Sequence, residues 1–243
     1  MSNASNQVQD TYNQQYHSEN NEWRQLGGQQ KAKNILDLCS RFKQVKTLDI
    51  GSGNGAVIAE LDRAGFTNNL SSLEISDSGI EAIKARQLQS LQSVQKFDGY
   101  KIPFDHKTFE LSLCSHVIEH VEHPRLLLRE IARVAEHQYF EIPIDFSFFV
   151  DRKIQHYLDY GHINIYTPAL FKFLLKSEGF EILDERFLFT NHAQIDFQFK
   201  HQPVKRLTQK LKNFIVALTP YKKVKPNAYA VLCKHNGKGL SIF

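Results

Sequence analysis

The sequence predicts an α/β fold in which helices cover both faces of a doubly wound, mainly parallel sheet. Short apolar segments typical of buried strands alternate with segments whose apolar residues recur at helical spacing. Alternation of this kind predicts parallel strands joined by crossover helices. The chain has 243 residues, of which 42% are hydrophobic, and this suits one domain with appendages. We therefore expect a single domain over residues 1–243.

The predicted strands are short apolar runs that cover residues 47–50, 70–75, 94–97, 109–115, 139–143, 180–189 and 228–233. The predicted helices cover residues 31–42, 56–64, 78–89, 124–134 and 168–177. Thr167 followed by Pro168 is typical of a helix start, and Gly179 is typical of the end of that helix. Ligands of parallel sheets bind beyond the carboxyl ends of the strands, so the residues that follow each strand are candidates for a site.

Composition argues against a membrane-spanning or secreted protein. No run of 18 or more apolar residues occurs, and the polar N-terminal segment lacks the apolar stretch of a secretory signal. The three cysteines, Cys39, Cys114 and Cys233, are odd in number and far apart. They predict reduced, packed thiols and a cytoplasmic location.

Positive charge is concentrated between residues 191 and 226. This segment has eight Lys or Arg residues and one acid, Asp196, so it carries +7 in a chain of net charge +4 and leaves −3 for the rest. Within it, VKRLTQKLKNFIVAL places its apolar residues on one helical face, which predicts a basic amphipathic helix. Three roles stay open: capping the core, contacting an anionic membrane surface, or guiding an anionic acceptor.

A glycine-rich turn directly follows the first predicted strand. Gly51, Gly53 and Gly55 allow a tight turn and close approach of a ligand to the backbone. GSGNGA also satisfies the loose pattern G-x-G-x-x-A, which is found in nicotinamide-dependent oxidoreductases. Asp49 lies two residues before the first glycine, where a carboxylate repels a pyrophosphate and attracts a cation. The turn therefore predicts a positively charged ligand, such as an ammonium or a sulfonium.

Two further acids end the next two strands. Glu74 lies 23 residues after Gly51, where a carboxylate can accept the hydroxyls of a ribose. Asp98, followed by Gly99, ends the third predicted strand, where an acid can accept from an adenine amino group. Three acids at equivalent strand ends favour an adenosyl compound that carries positive charge.

These motifs resemble the class I S-adenosylmethionine-dependent methyltransferases, in the type 11 branch. The resemblance runs through LDIGSGNGA, SSLEIS, KFDGYKIPFDHKTFELSLCSHVIEHVEHP and GHINIYTPALFKFLLKSEGFEI, and includes the last strand, AYAVLCKH. It implies a Rossmann-like, seven-stranded sheet whose last strand is antiparallel. The residues that it implies for binding S-adenosylmethionine are Asp49, Gly51, Ser52, Gly53, Gly55, Glu74, Ile75, Asp98, Gly99, Ser115 and His116.

The acceptor is less constrained than the donor. Resemblance to quinone-type O-methyltransferases implies a small or lipid-like acceptor that is methylated on oxygen. CSHV stands where methyltransferases acting on DNA bases have [DN]-P-P-[FY], which argues against methylation of exocyclic base amines. A nucleic acid is therefore not the expected partner. Candidate acceptor segments are an N-terminal lid or tail over residues 1–30, with Tyr12, Tyr16, Trp23 and Arg24, and an aromatic set of Phe146, Phe148, Phe149, Tyr157 and Tyr160. The rival functions are an oxidoreductase and a non-catalytic binding module.

The segment SHVIEHVEH contains a cluster of histidines and acids. If it opens a helix, His116, Glu119 and His120 share one face. One interpretation is that the Glu-His pair anchors the loop, and a second is that His116 or His120 is the general base for an oxygen nucleophile. The third is a metal site formed by His116, Glu119, His120 and His162. That set resembles the metal-dependent methyltransferases of small-RNA 3′-terminal ribose, although His116 replaces the first Glu of their E-x-x-E-H motif.

Overall fold

A seven-stranded sheet forms the centre of the computed structural model, which describes residues 21–146, 150–159, 161–223 and 226–237. Its strands in chain order are β1 (Thr47–Ile50), β2 (Leu70–Glu74), β3 (Leu91–Lys96), β4 (Phe109–Ser115), β5 (Ala135–Pro143), β6 (Phe180–Leu188) and β7 (Ala228–His235). Their spatial order is β3-β2-β1-β4-β5-β7-β6. Strands β1 to β5 pair in parallel, and β7 is antiparallel to both β5 and β6. The predicted sheet and its antiparallel last strand are confirmed.

The helices in chain order are α1 (Asn21–Leu38), α2 (Ala56–Arg63), α3 (Asp77–Ala85), α4 (Pro124–Val134), α5 (Ile154–Asp159), α6 (Pro168–Ser177), α7 (His192–Gln198) and α8 (Pro203–Leu218). Short 3₁₀ turns cover Ser40–Phe42, Ile118–His120, Val150–Lys153 and Pro220–Lys223. Helix α1 begins ten residues before its predicted start. The prediction missed the first half of the helix because that half contains two glycines and has no clear apolar face. Helices α5 and α7 were not predicted, since each is shorter than two full helical turns of pattern.

Local sequence signals fix several helix starts. The Thr167 hydroxyl accepts from the Leu170 N–H at the start of α6, as the Thr-Pro pair predicts. The Ser76 hydroxyl accepts from the Gly79 N–H and caps α3 directly after β2. These caps set where the helices leave the carboxyl edge of the sheet.

The core lies on both faces of the sheet. On one face α4 and α6 bury Leu127, Ile131 and Phe171 against the strands. On the other face α1 buries Ala32 and Ile35 against β4 and β5. The cysteines are buried and unbridged, as predicted: Cys39, Cys114 and Cys233.

Several predicted features lie outside the described residues: Tyr12 and Tyr16 of the N-terminal segment, Phe148, Phe149, Tyr160, and Lys225 of the basic segment. Trp23 is described, and its ring stacks on that of Phe197 in α7, with 5.9 Å between centroids. None of the helices in the described part of the chain combines the length and apolar character that crossing a bilayer requires.

Candidate active site

The glycine turn joins β1 to α2 at the carboxyl edge of the sheet. Gly51, Gly53 and Gly55 have φ values of 73°, 57° and 77°, a region that glycine adopts readily and other residues rarely do. A Cβ on Gly51 would lie 2.5 Å from Cγ2 of Val117. The turn therefore packs directly against the segment that follows β4.

Asp49, in β1, places a buried carboxyl beside this turn. The residue is only 4% exposed. Burial raises the pKa of its carboxyl to about 6, with the charge of Glu74 adding to the increase and a hydrogen bond from Ser52 opposing it. A cationic ligand beside Asp49 would stabilise the ionised form that burial disfavours.

Glu74 ties the end of β2 to the glycine turn. It is 3% exposed, and its Oε2 accepts from the Gly53 N–H at 2.8 Å. Its Oε1 accepts from the backbone N–H and the hydroxyl of Ser76, at 3.0 and 2.8 Å. Because a carboxylate oxygen can accept two hydrogen bonds, Oε2 keeps capacity for a ligand hydroxyl. Half-buried Ile75 follows Glu74 and packs against the core.

Asp98 lies in the loop after β3, on the same edge of the sheet. Its Oδ1 accepts from the backbone N–H groups of Tyr100 and Lys101, at 2.9 and 2.6 Å. Gly99 next to it has a φ of 87°. The structure thus orders this acid by a local turn, and it brings Asp49 and Glu74 together on neighbouring strands.

The exit of β4 presents Ser115 and His116. Within the described residues, the Ser115 hydroxyl oxygen is buried and has no hydrogen-bond partner. Buried polar atoms normally have a partner in the protein, water or a ligand. His116 has a φ of 56°, in the left-handed region, and its N–H donates to the Glu141 carbonyl at 2.8 Å. The change of backbone direction at His116 follows the end of β4 at Ser115.

No helix opens at His116, so the condition under which His116, Glu119 and His120 would share one helical face is not met. A right-handed helix cannot include a residue with that positive φ, and only Ile118–His120 forms a short 3₁₀ turn. Glu119 nevertheless lies between the two histidines. Its Oε1 is 3.6 Å from Nδ1 of His116 and 3.7 Å from Nε2 of His120.

Glu141 of β5 is a functional candidate that sequence reasoning missed. It is 2% exposed, and its Oε1 lies 3.3 Å from Nε2 of His116. Asn34 and the Tyr139 hydroxyl also donate to its carboxylate. Burial raises the pKa of Glu141, but the hydrogen bond and charge of His116 and the Tyr139 hydroxyl outweigh burial and lower it. The signal was present in YFEIP, an acid at the carboxyl end of an apolar strand.

A second cluster combines Glu119, His120 and His162. One potential ligand atom from each lies within 4.8 Å of the others. The His162 segment is fixed to the 3₁₀ turn, because the N–H groups of Ile163 and Asn164 each donate to the Glu119 carbonyl at 3.0 Å. Of the four residues predicted for a metal site, these three come together. His116 lies beside Glu119 but also faces Glu141.

Both histidines of this cluster have partners at Nδ1. Nδ1 of His120 donates to the Gly161 carbonyl at 2.9 Å, and burial lowers the pKa of that imidazole. Nδ1 of His162 lies 2.5 Å from Oδ2 of Asp145. Burial disfavours protonation of His162, but the hydrogen bond with Asp145 outweighs burial and raises its pKa. Asp145, just after β5, was not identified from the sequence.

Lys31 of α1 interacts electrostatically with three of these acids. Burial lowers the pKa of its ammonium, whereas the charges of Glu141, Glu119 and Asp49 raise it. In sequence it is indistinguishable from a surface lysine, since only the packing of α1 over the sheet edge gives it this position.

Comparisons with known proteins agree with this geometry. Residues 48–138 match the family model described as "Methyltransferase domain". The chain is 31% identical over 104 residues to "Putative methyltransferase YrhH" of Bacillus subtilis (strain 168), a match that covers 42% of this chain and 58% of that protein's length.

Two solved structures share the fold at low identity. A SAM-dependent methyltransferase from Archaeoglobus fulgidus superposes with a TM-score of 0.56 at 20% identity, over 84% of this chain and 92% of that one. The [4+2]-cyclase SpnF superposes with a TM-score of 0.61 at 15% identity, over 85% and 80% of the two chains.

Four observations agree with one another: the glycine turn, the strand-end acids, the strand order with β7 antiparallel, and the family match over β1 to β5. Residues 48–138 therefore match a methyltransferase domain, and the described sheet has the fold of the solved Archaeoglobus fulgidus methyltransferase.

Proposed function

We propose that the protein transfers a methyl group from S-adenosylmethionine to an oxygen of a small or lipid-like acceptor. The observation that carries the proposal is the buried Asp49 carboxyl beside the glycine turn. A carboxylate at that position favours an ammonium or sulfonium over a phosphate. The family match over residues 48–138 agrees with this choice of donor.

Each donor-binding role follows from a contact or a burial in the site. Asp49 faces the cationic end of the donor, and Glu74 accepts from the ribose while its Oε2 holds the Gly53 N–H. Asp98, Ile75 and Gly99 line the adenine side, and the Ser115 hydroxyl supplies a hydrogen bond at the exit of β4. The turn itself, Gly51, Ser52, Gly53 and Gly55, brings bare backbone against the donor.

When bound, S-adenosylmethionine supplies an electrophilic methyl group on a sulfonium that leaves as a neutral thioether. The residues of the chain therefore mainly orient the acceptor and exclude water. His116 takes the proton of the oxygen nucleophile, supported by Glu141. Because the Glu141 carboxylate accepts at Nε2 of His116, Nδ1 is the nitrogen that receives the proton. His120 is the second candidate for this role.

An apolar entrance supports a lipid-like acceptor. The segment between β5 and α6 exposes Phe146, Ile154, Leu158 and Ile163, the last three at 52–59%. Ile163 adjoins His162 of the histidine cluster. Tyr157 of the predicted aromatic set is buried instead, and its hydroxyl donates to the Asp145 carbonyl.

Helix α8 supports delivery of that acceptor from an anionic membrane surface. In the described chain its apolar face does not cover the core, since six of its apolar residues are 52–74% exposed: Val204, Leu207, Leu211, Phe214, Ile215 and Leu218. Lys205 and Lys212 of the same helix are exposed. An apolar stripe beside basic residues suits the interface of an anionic bilayer.

Binding and transfer must be measured separately, because the fold is shared with a cyclase. We expect calorimetric titration to detect binding of S-adenosylmethionine and of its demethylated product. Donor labelled in the methyl group should then label a phenol, catechol or quinol presented in vesicles. Binding of a nicotinamide dinucleotide without binding of S-adenosylmethionine would overturn the donor assignment.

Testing different acceptors separates the remaining alternative functions. Label transferred to the 3′-terminal ribose of a small RNA, but to none of the hydroxylated small molecules, would contradict the proposed acceptor class. Donor binding with no transfer to any acceptor would indicate the non-catalytic binding module.

A further inference from the structure

The carboxylate of Glu119 is buried beside two histidines. It is 1% exposed, and across the described ranges neither of its carboxylate oxygens has a hydrogen-bond partner. Lys31 acts on it only through space, since no ion pair joins the two side chains in this part of the structure. Burying an unpaired carboxylate is costly, so buried acids are usually paired or bound to a metal ion.

Two imidazoles face this carboxylate in a defined tautomeric arrangement. The Gly161 carbonyl can only accept, so Nδ1 of His120 carries the ring hydrogen and Nε2 of the neutral ring carries a lone pair. That Nε2 lies 3.7 Å from Oε1 of Glu119. This separation is too long for a hydrogen bond. It is close to the separation of about 3.4 Å between two ligands of one tetrahedral ion with bonds of about 2.0–2.1 Å.

His162 completes the set with the outer partner that metal-binding histidines usually have. Its Nδ1 is held by Asp145 at 2.5 Å, so Nε2 is the nitrogen that we assign to the ion. Metal-binding histidines almost always pair the other ring nitrogen with a carboxylate or a carbonyl. Here His120 pairs with a carbonyl and His162 pairs with a carboxylate.

The backbone holds the two parts of the cluster in register. The Glu119 carbonyl accepts from the N–H groups of Ile163 and Asn164, and the Asn164 side chain donates to the Val121 carbonyl at 2.7 Å. The three ligand atoms lie within 4.8 Å of one another. Shifts of about 1 Å in the ligand atoms, through side-chain rotation, would therefore complete the coordination without moving the backbone.

We propose that Glu119, His120 and His162 bind one divalent transition-metal ion, with zinc the best match to two imidazoles and a carboxylate. Nδ1 of His116 lies 3.6 Å from Oε1 of Glu119, so the proposed site adjoins this imidazole. Val117 connects this segment to the glycine turn at Gly51. The ion therefore lies beside the donor site, but its binding does not depend on methyl transfer.

The test uses the full chain after dialysis against a chelator. Titration with Zn²⁺ in a competing chelator should give one equivalent, and Co²⁺ should give the absorption bands of a low-symmetry site. Glu119→Gln keeps the side-chain shape and should weaken Zn²⁺ binding roughly a hundredfold or more. Asp145→Asn should weaken it roughly 10–100-fold, since it removes only the outer partner of His162.

The matched control is His123→Ala, which removes an exposed histidine from the same segment. It should leave Zn²⁺ affinity unchanged. The proposal is overturned if the unaltered protein binds neither ion, or if Glu119→Gln binds both equally well. Without metal, Glu119→Gln should unfold at a temperature no lower than that of the unaltered protein, because the change removes a buried charge, and its donor binding should match that of the unaltered protein. A failed metal site is thereby distinguished from a failed donor site or a misfolded variant.

Discussion

The pKa values of two buried acids at the sheet edge shift in opposite directions because their surroundings differ. Burial dominates at Asp49 and raises its pKa to about 6, whereas an imidazole and a phenol outweigh burial at Glu141 and lower its pKa. The first carboxyl thus gains from a cationic ligand, and the second is already stabilised within the protein. This difference supports the roles proposed for the two acids, donor binding for Asp49 and support of His116 for Glu141.

The raised pKa of Asp49 predicts that donor affinity depends on pH. The donor ammonium stays protonated up to pH 7, so a change in affinity between pH 5 and pH 7 reports the carboxyl. At pH 5 about one-tenth of a group with a pKa of about 6 is ionised, so affinity should be roughly tenfold weaker there. Calorimetric titration at both values measures this. Asp49→Asn should bind more than tenfold more weakly at pH 7, with little dependence on pH.

In the unliganded protein the same raised pKa makes folding stability decrease as pH rises, whereas donor affinity increases. The contribution of this carboxyl to stability is present below its unfolded pKa and is lost as pH rises through about 6. Donor affinity should therefore improve over the range in which this contribution is lost. A donor affinity that falls between pH 5 and pH 7 would contradict the placement of Asp49 beside a cation.

Glu74→Ala should weaken donor binding by more than tenfold. The change removes the acceptor for the ribose and also the acceptor for the Gly53 N–H, so the turn loses a support. Calorimetry on the variant measures the loss. Glu81→Ala, which removes an exposed acid from α3, is the control and should bind normally. Equal affinities of the two variants would remove Glu74 from the donor site.

At the scale of elements, α1 and α2 meet so closely that one glycine is required and its neighbour is not. A Cβ on Gly28 would lie 2.7 Å from the Ala56 Cβ and 3.0 Å from its backbone carbon, whereas a Cβ on Gly27 would contact nothing within 4 Å. Gly27→Ala should stabilise the protein by about 0.5–1 kcal/mol, because alanine is the better helix former. Gly28→Ala should destabilise it by about 1–3 kcal/mol through overpacking.

Urea denaturation of the two glycine variants measures both effects. Gly28→Ala should also weaken donor binding, since Ala56 directly follows Gly55 of the turn. Two variants of equal stability would mean that α1 does not pack on α2 in this way.

Helix α8 should bind anionic vesicles through its lysines. Replacing Lys205 and Lys212 by glutamine should weaken binding to phosphatidylglycerol vesicles by roughly tenfold or more, at about 1 kcal/mol per charge removed. Arg206 and Lys210 are less suitable targets, because both pair with Asp196. Co-sedimentation with phosphatidylglycerol and phosphatidylcholine vesicles measures the difference.

The matched control for α8 replaces Lys43 and Lys84, two exposed lysines elsewhere, by glutamine. Net charge falls equally, yet vesicle binding should stay near that of the unaltered protein. An equal loss in both double variants would assign the binding to overall charge rather than to α8.

For the whole molecule, the sequence predicted the bounds of buried strands better than those of a strand at the sheet edge. β1 and β4 are fully or mostly buried, so apolar runs define them. β3, with the pattern LQSVQK, lies at the sheet edge and is half-exposed, and its prediction began three residues late. A strand with one partner needs few apolar residues, so its pattern is weak.

The candidate site divides in a similar way. The common position of the proposed donor-binding acids could be predicted, because Asp49, Glu74 and Asp98 lie at or just beyond the carboxyl ends of parallel strands. Lys31 and Asp145 could not be predicted, because tertiary packing alone brings α1 and the segment after β5 to that edge. The left-handed conformation of His116 also gives no sequence signal, since only a few per cent of non-glycine residues adopt it.

Donor binding should stabilise the whole fold, because the site joins the ends of β1, β2 and β4. A ligand at a hundred times its dissociation constant adds about 2.7 kcal/mol, which raises the unfolding temperature of a chain of this size by roughly 5–11 °C. Differential scanning calorimetry with the demethylated product of S-adenosylmethionine should detect this increase. A nicotinamide dinucleotide should produce none, because Asp49 repels its pyrophosphate. Asp49→Asn should reduce the first increase, and stabilisation by the dinucleotide alone would contradict the electrostatic basis of the site.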